Sequence, residues 1–528
     1  MQRLLHPTRR ILFAAFLAAV ALAGCRSPQV TGADITISIT ADGESRNITV
    51  PSGSTVTQAL QSAGMIVGSQ DRVEPPPYTV LGDGNSVTLT RVEEVFETEE
   101  QIIPFERQVV RNESLPEGET RLVQAGVNGL EELTYRRVLE DDVEISKSIV
   151  KSVILQEAVP EIMMVGAQSS FAPLPIPGRL VYLAGGNAWS IDTSTANRTA
   201  LVTTGDLDGR IFALSPNGNY LIFTRKSTKP ADQEINTLWA VRTDGSKPFA
   251  TGISNVVHFA DWIPGTNSIA YSTVEPRSTS PGWQANNDLH RYSVTTGARA
   301  RVLESSSGGV YGWWGMTFAF SAEGRLAYAR PDGIGLVDLD GKYIKPLLSI
   351  TPFNTHSDWA WLPSLAWGAD GKTLYFISHA SPPTLVSEED SPFFDLNAIL
   401  LENNASVPIA QQTGMFSYPS VSSLQPSSLE RQYQLAYLQA IFPSQSETSR
   451  YRVVVMDRDG SNRRTIFPAN DAPGLEPQTL AWAPDIIEGQ SGNFIALIYQ
   501  GNLWLVDSGN GQAYQVTGDG LVTRIDWN

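Results

Sequence analysis

The sequence predicts a mainly β protein of three parts, the last a seven-bladed β-propeller closed by its own C-terminal strand. Three observations predict it. After residue 178, an apolar strand, a Gly-containing turn and a second apolar strand recur about every 50 residues. Each copy is followed by a further hairpin, which makes four short strands per unit, the pattern of a propeller blade. The composition also fits: 528 residues with 41% hydrophobic, 18% charged, 43 Gly and 33 Pro describe a globular, turn-rich chain rather than a disordered one.

The N-terminus is read first. Arg3, Arg9 and Arg10 precede an apolar run at residues 11–23. A run of that length falls short of the roughly 20 residues a membrane span needs, but suits a signal peptide. It ends in Leu22, Ala23, Gly24 and Cys25, which resembles the lipobox of bacterial lipoproteins. The resemblance implies cleavage before Cys25 and lipidation of its thiol by acyl chains of the palmitate type. Residues 1–24 then form the signal peptide and 25–33 a lipid-anchored tether. The expected location is extracytoplasmic, on the outer face of the bacterial cell membrane. Two acyl chains hold a protein there persistently, whereas one does not. An ordinary secretory leader is the alternative.

Charge and cysteine content exclude several classes. The net charge of −17 becomes −20 once a leader with three Arg is removed. Residues 26–170 alone carry 23 acids and 11 bases, so no basic excess exists to neutralise phosphates, and nucleic acid is not an expected partner. The single Cys excludes an intramolecular disulfide framework and a Cys-cluster zinc site.

Residues 34–91 read as a small β-grasp module. Ile35, Ile37 and Ile39 alternate, Asp42 and Gly43 supply a hairpin turn, and Ile48 and Val50 alternate again. Thr55 opens a short helix with Val56 and Leu60 on one face, ended by Gly64. Asp83 and Gly84 then precede a strand holding Val87 and Leu89. This order resembles the ubiquitin-like domain that accompanies five-glycine (G5) domains in resuscitation-promoting factors and related cell-wall proteins.

The next segment, residues 92–167, resembles a five-glycine domain. The resemblance rests on Pro104, Phe105 and Glu106, on Leu115 to Gly118, on Gly126 and Gly129, and on Pro160 to Gly166. Asp141 and Asp142 stand where a turn Gly is common. The family implies an elongated, single-layer β domain with little core, a binder of N-acetylglucosamine-containing glycan such as peptidoglycan or a spacer. Phe96, Phe105 and Tyr135 are the aromatic residues at hand. Residues 168–178, with Pro173, Pro175 and Pro177, read as a semi-stiff linker.

The propeller is assigned to residues 179–528, and its repeat resembles the TolB-like and WD-type unit. Copies centre on Ser215 to Gly218, Trp262 to Gly265, Ser321 to Gly324, Trp367 to Gly371 and Trp482 to Asp485. The unit near Tyr418 and Tyr437 is degenerate, which leaves six blades as the alternative count. Val522 to Trp527 is a strand without successors, and the strands near Leu180 and Ile191 lack a preceding inner strand. Joining them closes the ring and leaves no open edge.

Catalytic motifs are sparse. Gly-x-Ser-x-Gly is absent, His258, His290, His356 and His379 stand far apart, and no metal-ligand spacing occurs, so no metal or cofactor is expected. The aromatic residues Tyr311, Trp313, Trp314, Trp359, Trp361 and Tyr418, with Asp358, each precede an inner strand of three successive blades. They are the candidate ligand- or partner-binding residues on a shared rim, because aromatic rings beside a carboxylate suit sugar stacking or a protein hot spot. The competing reading is that they fill wedges between blades. The insertions at residues 275–288 and 381–394 are further candidates. The expectation is a non-catalytic cell-envelope lipoprotein. Its five-glycine region would contact or span peptidoglycan, and its propeller would bind an envelope protein or glycan. A hydrolase of wall glycan or peptide and a purely structural spacer are the alternatives.

Overall fold

A computed structural model describes residues 33–112, 115, 117–166, 171–379, 387–424, 432–487 and 490–528. Cys25 and the leader lie outside these residues. The chain divides into two compact units: residues 33–106 with Ala125–Glu161, and Arg107–Gln124 with Ile162–Asn528. The strands before residue 170 are β1 (Ile35–Ala41), β2 (Glu44–Val50), β3 (Arg72–Glu74), β4 (Ser86–Thr90), β5 (Val92–Ile103), β6 (Arg107–Asn112), β7 (Thr120–Gln124), β8 (Gly129–Glu140), β9 (Val143–Gln156) and β10 (Glu161–Gly166).

In the first unit, β1 and β2 form a hairpin turned at Asp42 and Gly43, both with positive φ. The helix α1 (Val56–Ser62) is closed by a capping box between Thr55 and Gln58. β4 runs parallel to β1, and the sheet order is β2-β1-β4-β3. Ile35, Ile37, Ile39, Val56, Leu60, Val87 and Leu89 fill the core between sheet and helix. This is the β-grasp arrangement.

A three-stranded antiparallel sheet of order β5-β8-β9 follows in the same unit. Its hairpin turns at Asp141 and Asp142, both left-handed, and Asp141 accepts the Arg91 N–H at 2.8 Å. Asp tolerates this backbone region better than most residues, which explains the missing Gly. Leu133 is buried, whereas Phe96, Ile102, Ile145, Ile149, Val150, Ile154 and Leu155 are exposed. The sheet is therefore held by its ladders and by cross-strand ion pairs such as Arg137–Glu144 and Arg136–Glu94, with almost no core of its own.

In the second unit, β6, β10 and β7 form a smaller sheet. Val110, Ile162 and Met164 from it share one core cluster with Ile176, Leu180, Trp189, Leu503 and Trp527. This small sheet thus packs on the rest of its unit, a seven-bladed propeller.

Every blade is a four-stranded antiparallel sheet. The innermost strands of blades 1 to 7 are Val522–Trp527, Leu207–Leu214, Ala260–Trp262, Thr317–Phe320, Leu365–Trp367, Ser420–Val421 and Ala481–Trp482. Blade 1 takes its inner strand from the C-terminus and its other strands from Pro175–Ala184, Asn187–Ser194 and Arg198–Val202. Among the described residues the count is seven, and the degenerate unit is blade 6, whose inner strand, like that of blade 7, is two residues long. The second strand of blade 1 begins at Pro175, inside the segment read as a linker. Ile176 is buried there, and a proline is tolerated at a strand's first residue.

Candidate functional site

The residues singled out before the inner strands fall into three separate groups, and among the described residues no ring contact joins them. Trp313 and Trp314 belong to a 3-10 turn, Gly312–Trp314, which Tyr311 caps, and all three rings are half-buried. Asn287 Nδ2 donates to Gly312 O at 2.7 Å and fixes the turn. Trp314 meets Trp283 edge-on at 6.1 Å, and Trp283 meets His258 at 4.4 Å. Trp283 comes from the insertion at 275–288, which forms a hairpin of Val274–Pro276 and Trp283–Ala285. Burial holds the His258 imidazole well below its ordinary value, at about 4. The other insertion lies partly outside the described residues.

The second group corrects the shared-rim reading. Trp361 is 3% exposed, packs on Phe394 at 4.9 Å, and donates from Nε1 to Met415 O at 3.1 Å. It fills the wedge between blades 5 and 6. Trp359 is half-buried against the same cluster. Asp358 is exposed in the loop beside it, with Ser357 Oγ at 3.4 Å. Tyr418, the third group, has φ of 39° and stacks on Phe416 at 6.1 Å, and burial raises its hydroxyl above the ordinary value. The approaches to the inner strands thus combine half-exposed rings at Tyr311, Trp313 and Trp314 with core-filling rings at Trp361.

Two carboxylates at the ring's axis were missed. The penultimate residues of the seven inner strands, from blade 1 to blade 7, are Asp526, Ala213, Asp261, Ala319, Ala366, Ser420 and Ala481. Five are small, as a crowded axis requires, and two are acids. Asp526 accepts the Leu214 N–H at 2.7 Å and the Trp527 N–H at 2.8 Å, and Asp261 accepts the Trp262 N–H at 2.7 Å. Burial raises the Asp526 carboxyl to about 6 against those bonds. Burial, with a smaller contribution from the Asp526 charge, raises Asp261 to about 7. The signal was present in the sequence, where Asp-Trp stands twice in a position otherwise filled by Ala or Ser. Among the described residues, no group of three or more His, Cys, Asp or Glu could hold a metal ion.

The tryptophans that end these strands tie neighbouring segments together. Trp262 Nε1 donates to Ala213 O at 3.0 Å, and Trp367 Nε1 to Ala319 O at 2.8 Å, each to the preceding blade's penultimate residue. Trp527 Nε1 donates to Pro177 O at 2.8 Å. Among the described residues, Trp482 Nε1 is buried and has no acceptor. It lines a cavity of about 340 Å³ together with Ser420, Val421, Ser423, Thr479, Asp526 and Trp527.

Comparison with known domains decides the N-terminal part. Residues 94–168 match the G5 domain. Residues 37–77 match the G5-linked ubiquitin-like domain. The second match covers the β-grasp module up to residue 77 and the first the strands from β5 to β10, and a G5 domain fits a cell-envelope role. The crystal structure of HP0197-G5 is similar over 14% of this chain and 99% of its own, at 21% identity and a TM-score of 0.14. The G5 domain of IgA1 protease is similar over 15% and 94%, at 26% identity and a TM-score of 0.12. A prolyl endopeptidase is similar over 65% of this chain and 49% of its own, at 13% identity and a TM-score of 0.41. The alignment therefore spans about half of that protein's length. A search of curated proteins returned no match.

Proposed function

We propose that the chain is a non-catalytic cell-envelope lipoprotein, anchored through Cys25, whose G5 domain contacts N-acetylglucosamine-containing glycan of peptidoglycan while its propeller presents a binding platform. The observation that carries this reading is the G5 match at residues 94–168 combined with a sheet exposed along its length. A sheet with so few core contacts leaves side chains on its surface available to an extended polymer. Phe96, 62% exposed, is the ring best placed to stack on a sugar face. The lipobox residues Leu22 to Cys25 support the extracytoplasmic location. On the propeller, the half-exposed Trp313 and Trp314 offer an aromatic surface of the kind found at protein hot spots.

Co-sedimentation with purified peptidoglycan tests the reading. The chain from residue 33 onward is expected to pellet, N-acetylglucosamine oligomers to release it, and Phe96→Ala to reduce the pelleted fraction. A chain that stays in the supernatant at physiological salt overturns glycan contact and leaves the G5 segment a spacer.

A further inference from the structure

We propose that Arg91 and Asp141 form a latch between the ubiquitin-like module and the G5 sheet, so that β1 to β5, β8 and β9 turn as one stiff body instead of two hinged domains. Neither the glycan contact nor the lipid anchor enters into it.

The connection between the two is a single residue. β4 ends at Thr90 and β5 starts at Val92, so Arg91 is the whole linker. The two soft dihedrals of one free residue are enough for a hinge. Here both backbone groups of that residue are held by the turn between β8 and β9. Arg91 N–H donates to Asp141 Oδ1 at 2.8 Å, and Asp141 N–H donates to Arg91 O at 3.0 Å. Asp141 has a φ of 46°. A Gly takes that left-handed backbone readily, but offers no carboxylate to the Arg91 N–H. Asp141 therefore does what the usual turn Gly could not.

The guanidinium holds the other side. Arg91 Nε donates to Asp42 Oδ1 at 2.8 Å, and Nη1 donates to Asp71 Oδ2 at 2.8 Å and to Ile66 O at 2.6 Å. These partners come from three separate parts of the module: the turn between β1 and β2, the segment after α1 and the approach to β3. Asp71 is 8% exposed and also accepts the N–H of Val92, the first residue of β5, at 3.1 Å. Burial opposes its charge, but hydrogen bonds from Gly68, Val92 and Arg91 hold its carboxyl below the ordinary value. Removing one partner of such a buried pair leaves the other charge uncompensated, so these contacts stand or fall together. Arg72 and Glu140 add a second tie at 2.5 Å, but Arg72 is exposed and a pair of that kind contributes little.

The test measures distances between two spin labels by pulsed electron resonance. It uses the chain from residue 33 onward, which contains no Cys, with labels at Gln61→Cys on α1 and Ser148→Cys on β9, both exposed. One narrow distance distribution is expected, and broadened ones in Arg91→Ala and in Asp141→Gly. Amide hydrogen exchange gives a second readout. The Val92 N–H is expected to exchange about tenfold faster or more in Arg91→Ala, as for loss of a charged hydrogen bond. Asp141→Gly keeps the backbone of the turn and carries the test if Arg91→Ala does not fold. The proposal is overturned if the labelled parent chain already gives a broad distribution. It is equally overturned if the distribution stays narrow in a folded latch variant. Pelleting on peptidoglycan is decided separately by Phe96→Ala, so either reading can fail without the other.

Discussion

Trp527 donates its indole N–H to Pro177 O at 2.8 Å, across 350 residues of sequence. Around that bond the C-terminal strand pairs Leu180 with Trp527, Tyr182 with Ile525 and Ala184 with Val522. Arg179 N–H donates to Asn528 O at 2.7 Å, and Asn528 N–H returns the bond at 3.0 Å. Without this strand, blades 1 and 7 would each face an open gap. Trp527→Ala is expected to cost about 3–5 kcal/mol, as for removal of a buried Trp. Deleting residues 522–528 is expected to leave blade 1 protease-sensitive. Urea unfolding followed by Trp fluorescence measures the first, and limited proteolysis the second.

A second prediction concerns pH. Asp261 and Asp526 have folded carboxyl values raised by burial to about 7 and about 6. A raised acid binds its proton more tightly folded than unfolded, so stability is fully present below the unfolded value near 3.9 and is lost as pH rises through 6 and 7. The melting temperature should therefore fall by a few degrees between pH 5 and pH 8. Asp261→Asn should flatten that slope. A melting temperature that rises steadily over the same window would show that these carboxyls are not the dominant titrating groups.

The third prediction separates wedge from rim. Trp361 sits in the core between Phe394 and the Met415 carbonyl, whereas Trp313 is half-buried in a short turn. Trp361→Ala is expected to cost about 3–5 kcal/mol, and Trp313→Ala about 1 kcal/mol or less. Chemical denaturation of the two variants side by side gives the comparison.

The propeller was legible because most blades repeat an apolar strand, a Gly turn and a second strand, and because Val522 to Trp527 had no partner except the unpaired edge near Leu180; blade 6, with no Gly between its first two strands, is the unit that left six as the alternative count. The G5 and ubiquitin-like modules were legible through their spaced glycines and the Thr55-capped helix. The burial of Trp361 was not, since a ring before an inner strand reads the same whether it points to solvent or into the next blade. The rotation that decides it comes from the packing of Phe394 and Met415, which are distant in sequence. Asp261 and Asp526 were passed over for the opposite reason. Each stood beside a Trp that drew attention, and only alignment of all seven inner strands shows that an acid replaces Ala.

The last prediction tests how the G5 segment is held together. Its strands divide between two units, and the apolar residues of the two parts meet opposite fates. Ile162 on β10 is 1% exposed and packs in the cluster that contains Leu180 and Trp527. Ile149 on β9 is 55% exposed, on a sheet that has almost no core. Ile162→Ala should therefore cost about 2–5 kcal/mol, while Ile149→Ala should stay within about 0.5 kcal/mol. Because Ile162 shares its cluster with the closing strand, its loss should also expose Trp527, and the tryptophan emission of Ile162→Ala should shift to the red before global unfolding. If β10 instead folds apart from the propeller, Ile162→Ala leaves the emission unchanged, and the G5 segment melts in a separate transition. Differential scanning calorimetry of the two variants distinguishes one shared transition from two.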